Sequence, residues 1–243
     1  MGRLLVGIDD TDILGSRGTG FLARELGAAL RESRGAQVAG ITRHQLLVDP
    51  RIPYTSHNSA ACLAVETSAA VEDIAAFAGA FLEGRTPTGA DPGLCVSAED
   101  DAGPFVAFGR RAQREVLAER EALTLATQGR AHLSAHGGSG LGVIGALAAV
   151  GLRRGGEDGR FLELGVIREL RGAVPAGDLR AAGVAAFVSD DRAIELADRE
   201  PVDVGEWCRP VLRGGRPTLL IEEVVHGSAP GWRSISRERL RGL

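Results

Sequence analysis

Short apolar runs alternate with longer amphipathic segments along this chain, a pattern typical of alternating strands and helices. The apolar runs that predict strands are Leu4–Ile8, Val38–Leu47, Ala61–Val65, Leu94–Ser97, Phe161–Ile167, Val184–Val188 and Thr218–Val225. The segments with one apolar helical face are Phe21–Leu30, Ala70–Phe81, Arg110–Gln128, a stretch of small residues ending at Gly151, and Asp178–Gly183. Because the alternation contains no repeat, it predicts an α+β or α/β fold, of which we choose α+β.

Glycine and proline interrupt this pattern at residues 84–93 and again at residues 129–140. Such breaks mark loops and often separate substructures. We therefore predict two domains, residues 1–130 and residues 131–243, with insertion of one into the other left open.

Three carboxylates follow the first apolar run directly: Asp9, Asp10 and Asp12. Asp is unfavourable in strands, so the strand should end here and hold these side chains at its edge. Like charges this close repel one another unless a cation or protons intervene. Since Mg²⁺ takes carboxylate oxygens together with substrate phosphates, the cluster predicts a metal and phosphate site, with Asp9, Asp10 and Asp12 as metal ligands and catalytic residues. A solvated turn that caps the following helix is the alternative.

A glycine-containing loop then leads into the first predicted helix. The backbone of Gly18, Thr19 and Gly20 lies where amide groups and the helix dipole favour an anion, and Arg17 adds a positive charge. Thr19 as a plain N-cap is the alternative for that one residue.

Further polar candidates lie in the loop between the second and third predicted strands. Arg51, His57 and Asn58 are suited to ordering a phosphate oxygen or a substrate, and we include them among the cofactor-binding residues. His57 as an ordinary loop histidine stays open.

The composition of the 243 residues excludes several classes of mechanism. There is no lysine, so a P-loop lysine, a kinase strand lysine and a Schiff base are all excluded. The three cysteines, Cys62, Cys95 and Cys208, have no metal-binding spacing and are expected to be buried free thiols. The net charge of −4 gives no general attraction to nucleic acid, and no apolar stretch reaches membrane-spanning length, so we expect a cytoplasmic protein without membrane contact.

Asp10 and Asp12 also fit a second chemistry. An Asp nucleophile with an acid/base Asp two residues later resembles the haloacid dehalogenase superfamily of phosphatases, and Asp190 with Asp191 would then be its downstream acidic pair. A non-catalytic nucleotide-binding module is the third alternative.

Several ordered motifs resemble the archaeal agmatidine synthetase family. They are Gly7–Asp12, Gly18–Ala23, Asp49–Tyr54 with Asn58, Asp91–Leu94, Gly140–Gly151 and Phe161–Leu164. The resemblance runs from the start of the chain to about residue 170.

The resemblance implies an atypical kinase-like domain with an adjoining ferredoxin-like domain, and ATP and Mg²⁺ as cofactors. It further implies that the acidic motif serves Mg²⁺-ATP, that Thr19 takes part in phosphoryl chemistry, and that Gly140, Gly142 and Gly145 belong to a substrate site. Family members phosphorylate the carbonyl oxygen of a tRNA anticodon cytidine, which agmatine then displaces. The family continues into an OB-fold and a zinc ribbon that grip tRNA, and 243 residues leave no length for both. We therefore expect a small-molecule acceptor, amine or nucleoside-like, ahead of direct tRNA binding.

Overall fold

The computed structural model describes residues 2–55, 57–100, 104–226 and 229–241. The chain divides into two compact units, Met1–Leu162 and Glu163–Leu243. The mixed fold of helices and sheet strands agrees with the predicted α+β class.

The first unit contains five antiparallel strands and five helices among its described residues, followed by a short strand at its end. In chain order these elements are β1 (Gly2–Asp9), α1 (Thr19–Arg34), β2 (Gln37–Gln45), β3 (Ser59–Thr67), α2 (Val71–Arg85), β4 (Gly93–Ala98), α3 (Phe105–Ala112), α4 (Glu119–Gln128), β5 (His132–Ala135), α5 (Gly142–Gly155) and β6 (Arg160–Glu163). The five strands lie in the order β5-β4-β1-β3-β2.

The connectivity from β1 to β4 is that of a ferredoxin-like βαββαβ unit, with the sheet order β4-β1-β3-β2. The prediction placed a ferredoxin-like domain after residue 130, whereas this connectivity lies before residue 99. The predicted division after residue 130 also falls inside the first unit, because β5 pairs with β4 and α5 packs against β1.

Both faces of the sheet are covered, which is why β1 is apolar almost throughout. Alternate side chains of β1 point to opposite faces. Leu4, Val6 and Ile8 join the core formed with α1 and α2, whereas Leu5 joins the core formed with α3 and α5. By the same alternation Gly7 and Asp9 face α5, so the last residue of β1 carries its carboxylate into that layer.

Glycines let α5 approach the sheet at backbone distance. A Cβ at Gly7 would lie 2.2 Å from the carbonyl oxygen of Ala146, and one at Gly142 would lie 2.0 Å from the carbonyl oxygen of Asp91. Neither contact leaves room for a side chain, so these glycines fix the position of the start of α5 over the end of β1.

Two predicted elements are wrong in extent. The single helix Arg110–Gln128 is instead two helices, α3 and α4, because the helical backbone ends at Ala112 and Ala118 is extended, with a φ of −98° and a ψ of 140°. The strand Phe161–Ile167 ends at Glu163, since Gly165 adopts a φ of +45° that breaks the extended backbone.

The second unit is built from small paired strands around a core that includes Leu179, Phe187 and Leu219. Its elements are β7 (Ala173–Pro175), α6 (Ala176–Ala181), β8 (Ala186–Ser189), β9 (Arg192–Ala193), β10 (Pro201–Asp203), β11 (Val211–Arg213), β12 (Arg216–His226), β13 (Ala229–Ser234) and α7 (Arg237–Arg241). The central strand β12 pairs antiparallel with β11 and β13 and parallel with β8.

The three cysteines are buried free thiols, as predicted. None of the helices in the described ranges is long and apolar enough to cross a membrane.

Candidate active site

Asp9 is the last residue of β1, and its carboxylate lies against the first turn of α5. A Cβ at Gly145 would lie 1.7 Å from Oδ2 of Asp9, so only glycine at that position leaves space for the carboxylate. Burial raises the pKa of Asp9 to about 7, and the neighbouring charge of Asp10 adds to this effect. The carboxylate therefore lies in a place where its negative charge is unfavourable without a cation.

Asp10 follows with a backbone φ of +51°, which non-glycine residues adopt infrequently and Asp and Asn more readily than most. This conformation turns the chain sharply out of the strand. Burial raises the pKa of Asp10 to about 6, with further contributions from the charges of Asp91 and Asp12. Two adjacent carboxylates with raised pKa values are a pattern found at functional sites.

Asp91, in the loop before β4, is hydrogen-bonded to the backbone of the acidic turn. Its backbone N–H donates to the carbonyl oxygen of Asp10 at 3.1 Å. Its carboxylate accepts hydrogen bonds from the backbone N–H groups of Gly140 (2.7 Å) and Leu141 (3.1 Å), and from the hydroxyl of Ser139. Asp91 thus joins the turn after β1 to the loop that begins α5.

Asp12 holds a hydroxyl in place. Its Oδ1 accepts hydrogen bonds from the hydroxyl of Thr19 at 3.0 Å and from the backbone N–H of Thr19 at 3.3 Å. Its Oδ2 accepts a hydrogen bond from Thr55 at 2.7 Å, and the hydroxyl of Thr11 donates to Thr19 Oγ1 at 3.2 Å. The Thr19 hydroxyl is therefore oriented by one donor and one acceptor at the first residue of α1.

A cleft of about 170 Å³ opens over these residues. Its polar floor is formed by the acidic turn and Thr19, and its other walls are largely apolar and come from the β2–β3 loop, the segment after α3 and the start of α5. A second cavity of about 140 Å³ lies beside Gly18 and Gly20. Asp12, Thr19 and Thr55 line both spaces.

No family model and no curated protein matches the chain. Solved structures do match it. The apo structure of TiaS, the agmatidine synthetase for an isoleucine tRNA, aligns with 29% identity and a TM-score of 0.53 over 61% of this chain and 35% of its own. Its complex with that tRNA and ATP gives 30% identity and a TM-score of 0.56 over 62% and 36%. Its complex with the tRNA, AMPCPP and agmatine gives 29% identity and a TM-score of 0.54 over 62% and 36%.

The resemblance to agmatidine synthetase is confirmed. The chain matches a little more than a third of the length of the agmatidine synthetase structures, and the similarity concerns that part alone.

Most of the residues predicted for the site lie together. The residues that line the main cleft are Asp9, Asp10, Asp12, Thr19, Arg51, His57, Asn58, Gly142 and Gly145, and those that line only the second cavity are Gly18 and Gly20. Asn58 has a structural role, because its side-chain amide donates a hydrogen bond to the carbonyl oxygen of Leu47 at 2.6 Å. Arg51 lies at the exposed rim and pairs with Asp49 at 2.8 Å.

Two predicted residues line neither space. Arg17 is exposed and stacks on the ring of Phe21 at 4.2 Å from its centroid. Gly140 lies behind the cleft, where its N–H donates to Asp91 and a Cβ would lie 3.1 Å from Oε1 of Glu119.

The carboxylates fit a hard cation as a pair rather than as a trio. Within the ranges that the structure describes, no three His, Cys, Asp or Glu side chains gather around one metal position. Mg²⁺ is commonly bound by one or two carboxylates together with phosphates and waters. Asp9 and Asp10, whose pKa values are raised, match this requirement, whereas both oxygens of Asp12 accept hydrogen bonds.

The sequence interpretation assigned no role to Asp91 or Thr55. Asp91 lies within one of the motifs that carry the family resemblance, and this was the only feature of the sequence that pointed to a role for it. Thr55 gave no signal beyond its polar neighbours. Asp190 and Asp191, considered as a phosphatase pair, instead form the turn between β8 and β9 with φ values of +45° and +64°. That conformation is typical of a two-residue hairpin.

Proposed function

We propose that this chain is an ATP- and Mg²⁺-dependent enzyme that phosphorylates an oxygen atom of an acceptor and so prepares it for attack by an amine. One observation carries the proposal: a pair of carboxylates with raised pKa values, Asp9 and Asp10, lies beside the oriented hydroxyl of Thr19 at the floor of a cleft. The similarity to agmatidine synthetase, whose solved complexes contain ATP and AMPCPP, supports an ATP-using, ligase-like role.

In this proposal Asp9 and Asp10 would hold Mg²⁺, which neutralises charge on phosphate oxygens when bound. The chain has no lysine, and backbone amides at the start of α1, those of Gly18 and Gly20, would take up part of the remaining phosphate charge, since the Thr19 amide donates to Asp12. Asp12 keeps the Thr19 hydroxyl directed into the site and is placed to accept its proton, at 3.0 Å. Apolar walls around the cleft exclude water, which favours transfer to an acceptor over hydrolysis.

We infer that the acceptor is a small amine-reactive compound, nucleoside-like in character, and that the enzyme acts in the cytoplasm. The agmatidine synthetase complexes contain an isoleucine tRNA, so this tRNA with agmatine is the second acceptor to be tested. With a net charge of −4, the chain has no overall attraction to RNA.

Calorimetric titration of the full chain with an ATP analogue, with and without Mg²⁺, tests the proposal. We expect Mg²⁺-dependent binding that Asp10→Asn weakens about tenfold or more, because a lost charged contact is worth at least about 1.4 kcal/mol. Asp73→Asn, which removes an exposed carboxylate of α2, is the matched control and should bind normally. Absence of nucleotide binding by the wild-type chain would refute the proposal.

Product analysis then distinguishes the chemistry. ATP turnover that requires cytidine compounds and amines, with ADP or AMP as product, supports the proposed reaction. Hydrolysis of simple phosphate esters without ATP, with a trapped phosphate on Asp10, would favour the Asp-nucleophile phosphatase. Nucleotide binding without turnover of any acceptor would favour the non-catalytic nucleotide-binding module.

A further inference from the structure

A second group of polar side chains lies on the other side of β4, at the outermost strand of the first unit. Alternate residues of β5 and the residue that follows it, His132, Ser134 and His136, present their side chains to α2. Their hydrogen bonds form a continuous chain. Ser134 Oγ lies 2.8 Å from Nε2 of His132 and 2.8 Å from Nε2 of His136, and Nδ1 of His136 lies 2.9 Å from the carboxylate of Glu83.

The donor and acceptor roles in this chain follow from its end. An ionised carboxylate is only an acceptor, so Nδ1–H of His136 donates to Glu83. When Nδ1 carries the only ring proton, Nε2 is an acceptor, and the Ser134 hydroxyl donates its hydrogen there. His132 completes the chain by donating Nε2–H to Ser134 Oγ. The serine is thus hydrogen-bonded to a base that is itself oriented by a carboxylate.

The surroundings hold this geometry. A Cβ at Gly79 of α2 would lie 2.6 Å from Cε1 of His136, so the glycine lets the imidazole lie directly against the helix. His136 retains 12% side-chain exposure, and Ser134 is half-buried. The backbone N–H of His136 donates a hydrogen bond to the carbonyl oxygen of Pro92. The alternation of an antiparallel pair then directs the N–H groups of Leu133 and Ala135 away from β4.

We propose that Ser134 is a nucleophile that accepts an acyl group from an activated ester, with His136 as its general base and Glu83 as the residue that orients this base. Nothing in the nucleotide site contributes to this group, so the proposal is independent of the function proposed above.

The step is balanced within the group. Ser134 Oγ forms a bond to the acyl carbon, the ester C–O bond breaks, and the alcohol leaves with the bonding electrons. The hydroxyl proton passes to Nε2 of His136, and the resulting imidazolium is stabilised by Glu83. The outward amides of Leu133 and Ala135 are available donors for the oxygen that becomes negative during the attack. The imidazolium passes this proton to the oxygen of the leaving group, which departs as the neutral alcohol. His136 then takes a proton from a water molecule as the water oxygen attacks the acyl carbon, and it returns this proton to Ser134 Oγ as the acid leaves.

The 243-residue chain is incubated with p-nitrophenyl acetate, and the release of p-nitrophenolate is recorded while tandem mass spectrometry maps acetylated peptides. We expect one acetyl group on Ser134. His136→Gln should slow acetylation about 100-fold, the usual contribution of a general base. Glu83→Gln should slow it about tenfold, because the base loses its orienting charge.

Ser33→Ala, which removes an exposed serine of α1, is the matched control and should leave acetylation unchanged. The mapping uses wild-type protein, so its result does not depend on whether the variants fold. Melting temperatures establish whether each variant is folded. Acetylation of other residues without Ser134, or acetylation of Ser134 at the wild-type rate in folded His136→Gln, would overturn the proposal. Asp10→Asn tests only the nucleotide site and should leave acetylation at its wild-type rate.

Discussion

The carboxylate of Asp9 occupies the space that a side chain at position 145 would fill. A Cβ at Gly145 would lie 1.7 Å from Oδ2 of Asp9. The first turn of α5 is thereby shaped around the last side chain of β1, and the position of the carboxylate depends on the absence of a single methyl group. Gly145, which resembles a packing residue, therefore determines where the carboxylate of Asp9 lies, and the proposed metal site depends on that carboxylate.

Gly145→Ala should therefore displace Asp9. We expect Mg²⁺-dependent nucleotide binding to weaken about tenfold or more, as for Asp10→Asn, because the carboxylate loses its position. We also expect a loss of about 1–3 kcal/mol in the free energy of unfolding, the usual effect of an added methyl group in a packed region. Calorimetric titration and urea denaturation measure the two effects.

Gly84→Ala is the matched control for this substitution. A Cβ at Gly84, an exposed position in α2, would have no atom within 4 Å. Removing glycine from a helix should therefore stabilise the protein by about 0.5–1 kcal/mol and leave nucleotide binding unchanged. Nucleotide binding by Gly145→Ala that equals that of Gly84→Ala would contradict the role given to Gly145.

Asp10→Asn should stabilise the protein without nucleotide above pH 6. The pKa of Asp10 rises from its ordinary value of 3.8 to about 6 on folding, so the native state binds more protons than the unfolded state between these values. The free energy of unfolding therefore falls as pH rises through this window, and the full destabilisation by the ionised Asp10 carboxylate is present above pH 6. Asn removes the charge and tolerates the φ of +51°. We expect a gain of about 1 kcal/mol at pH 8, measured by urea denaturation.

The same variant should show no gain at pH 4, where Asp10 is protonated in the native state. Asp73→Asn again serves as the control, since Asp73 is an exposed side chain of α2. If Asp10→Asn lowers the free energy of unfolding at pH 8, the ionised carboxylate of Asp10 stabilises the fold, and the prediction is wrong.

The start of the site was predictable because it is local in sequence. The apolar run of β1 and the poor strand propensity of Asp together fixed where the strand ends. The glycine-containing loop likewise indicated that a helix follows it, predicted from Phe21, and α1 begins two residues earlier, at Thr19. Both signals lie within a few residues of the feature that they predict.

Asp91 could not be predicted in this way, because its role comes from tertiary pairing. The antiparallel register of β1 and β4 places Asp9 opposite Gly93, and this pairing brings the preceding loop to the acidic turn. In sequence, Asp91 is one aspartate in a loop rich in glycine and proline, and such residues usually serve a turn. The hydrogen bond between Asp12 and Thr55 was not predicted for a similar reason, because Thr55 comes from the loop between β2 and β3.

Thr19→Val and Thr19→Ser separate the hydroxyl from the packing of this side chain. Valine keeps the volume and loses the hydrogen bonds to Asp12 and Thr11, whereas serine keeps the hydroxyl. If the hydroxyl acts in phosphoryl transfer, we expect kcat for ATP turnover to fall about 100-fold in Thr19→Val and less than about tenfold in Thr19→Ser. Single-turnover measurements with saturating nucleotide test this.

Nucleotide affinity supplies the control for the threonine variants. Both should retain an affinity near that of the wild type, because Asp9 and Asp10 are unchanged. Equal turnover by Thr19→Val and wild type would limit the Thr19 hydroxyl to its structural hydrogen bonds with Asp12 and Thr11.

His44 provides a test of the fold away from the site. Its ring is fully buried, with Nδ1 2.6 Å from Asp158 and Nε2 2.8 Å from the hydroxyl of Thr42. Burial lowers the pKa of His44 despite the nearby carboxylate. Below pH 6.5 the unfolded chain therefore binds a proton that the native state does not, and stability falls as pH decreases. His44→Gln should remove this slope between pH 6.5 and pH 5, and should cost about 1–3 kcal/mol at pH 7 because Asp158 and Thr42 lose a partner.

The comparison must be a difference between wild type and variant, because the raised pKa values of Asp9 and Asp10 contribute a slope of opposite sign in the same range. Urea denaturation at half-unit steps of pH gives both slopes. A His44→Gln slope equal to that of wild type would mean that the buried imidazole takes up its proton without unfolding, and that Asp158 then compensates the charge.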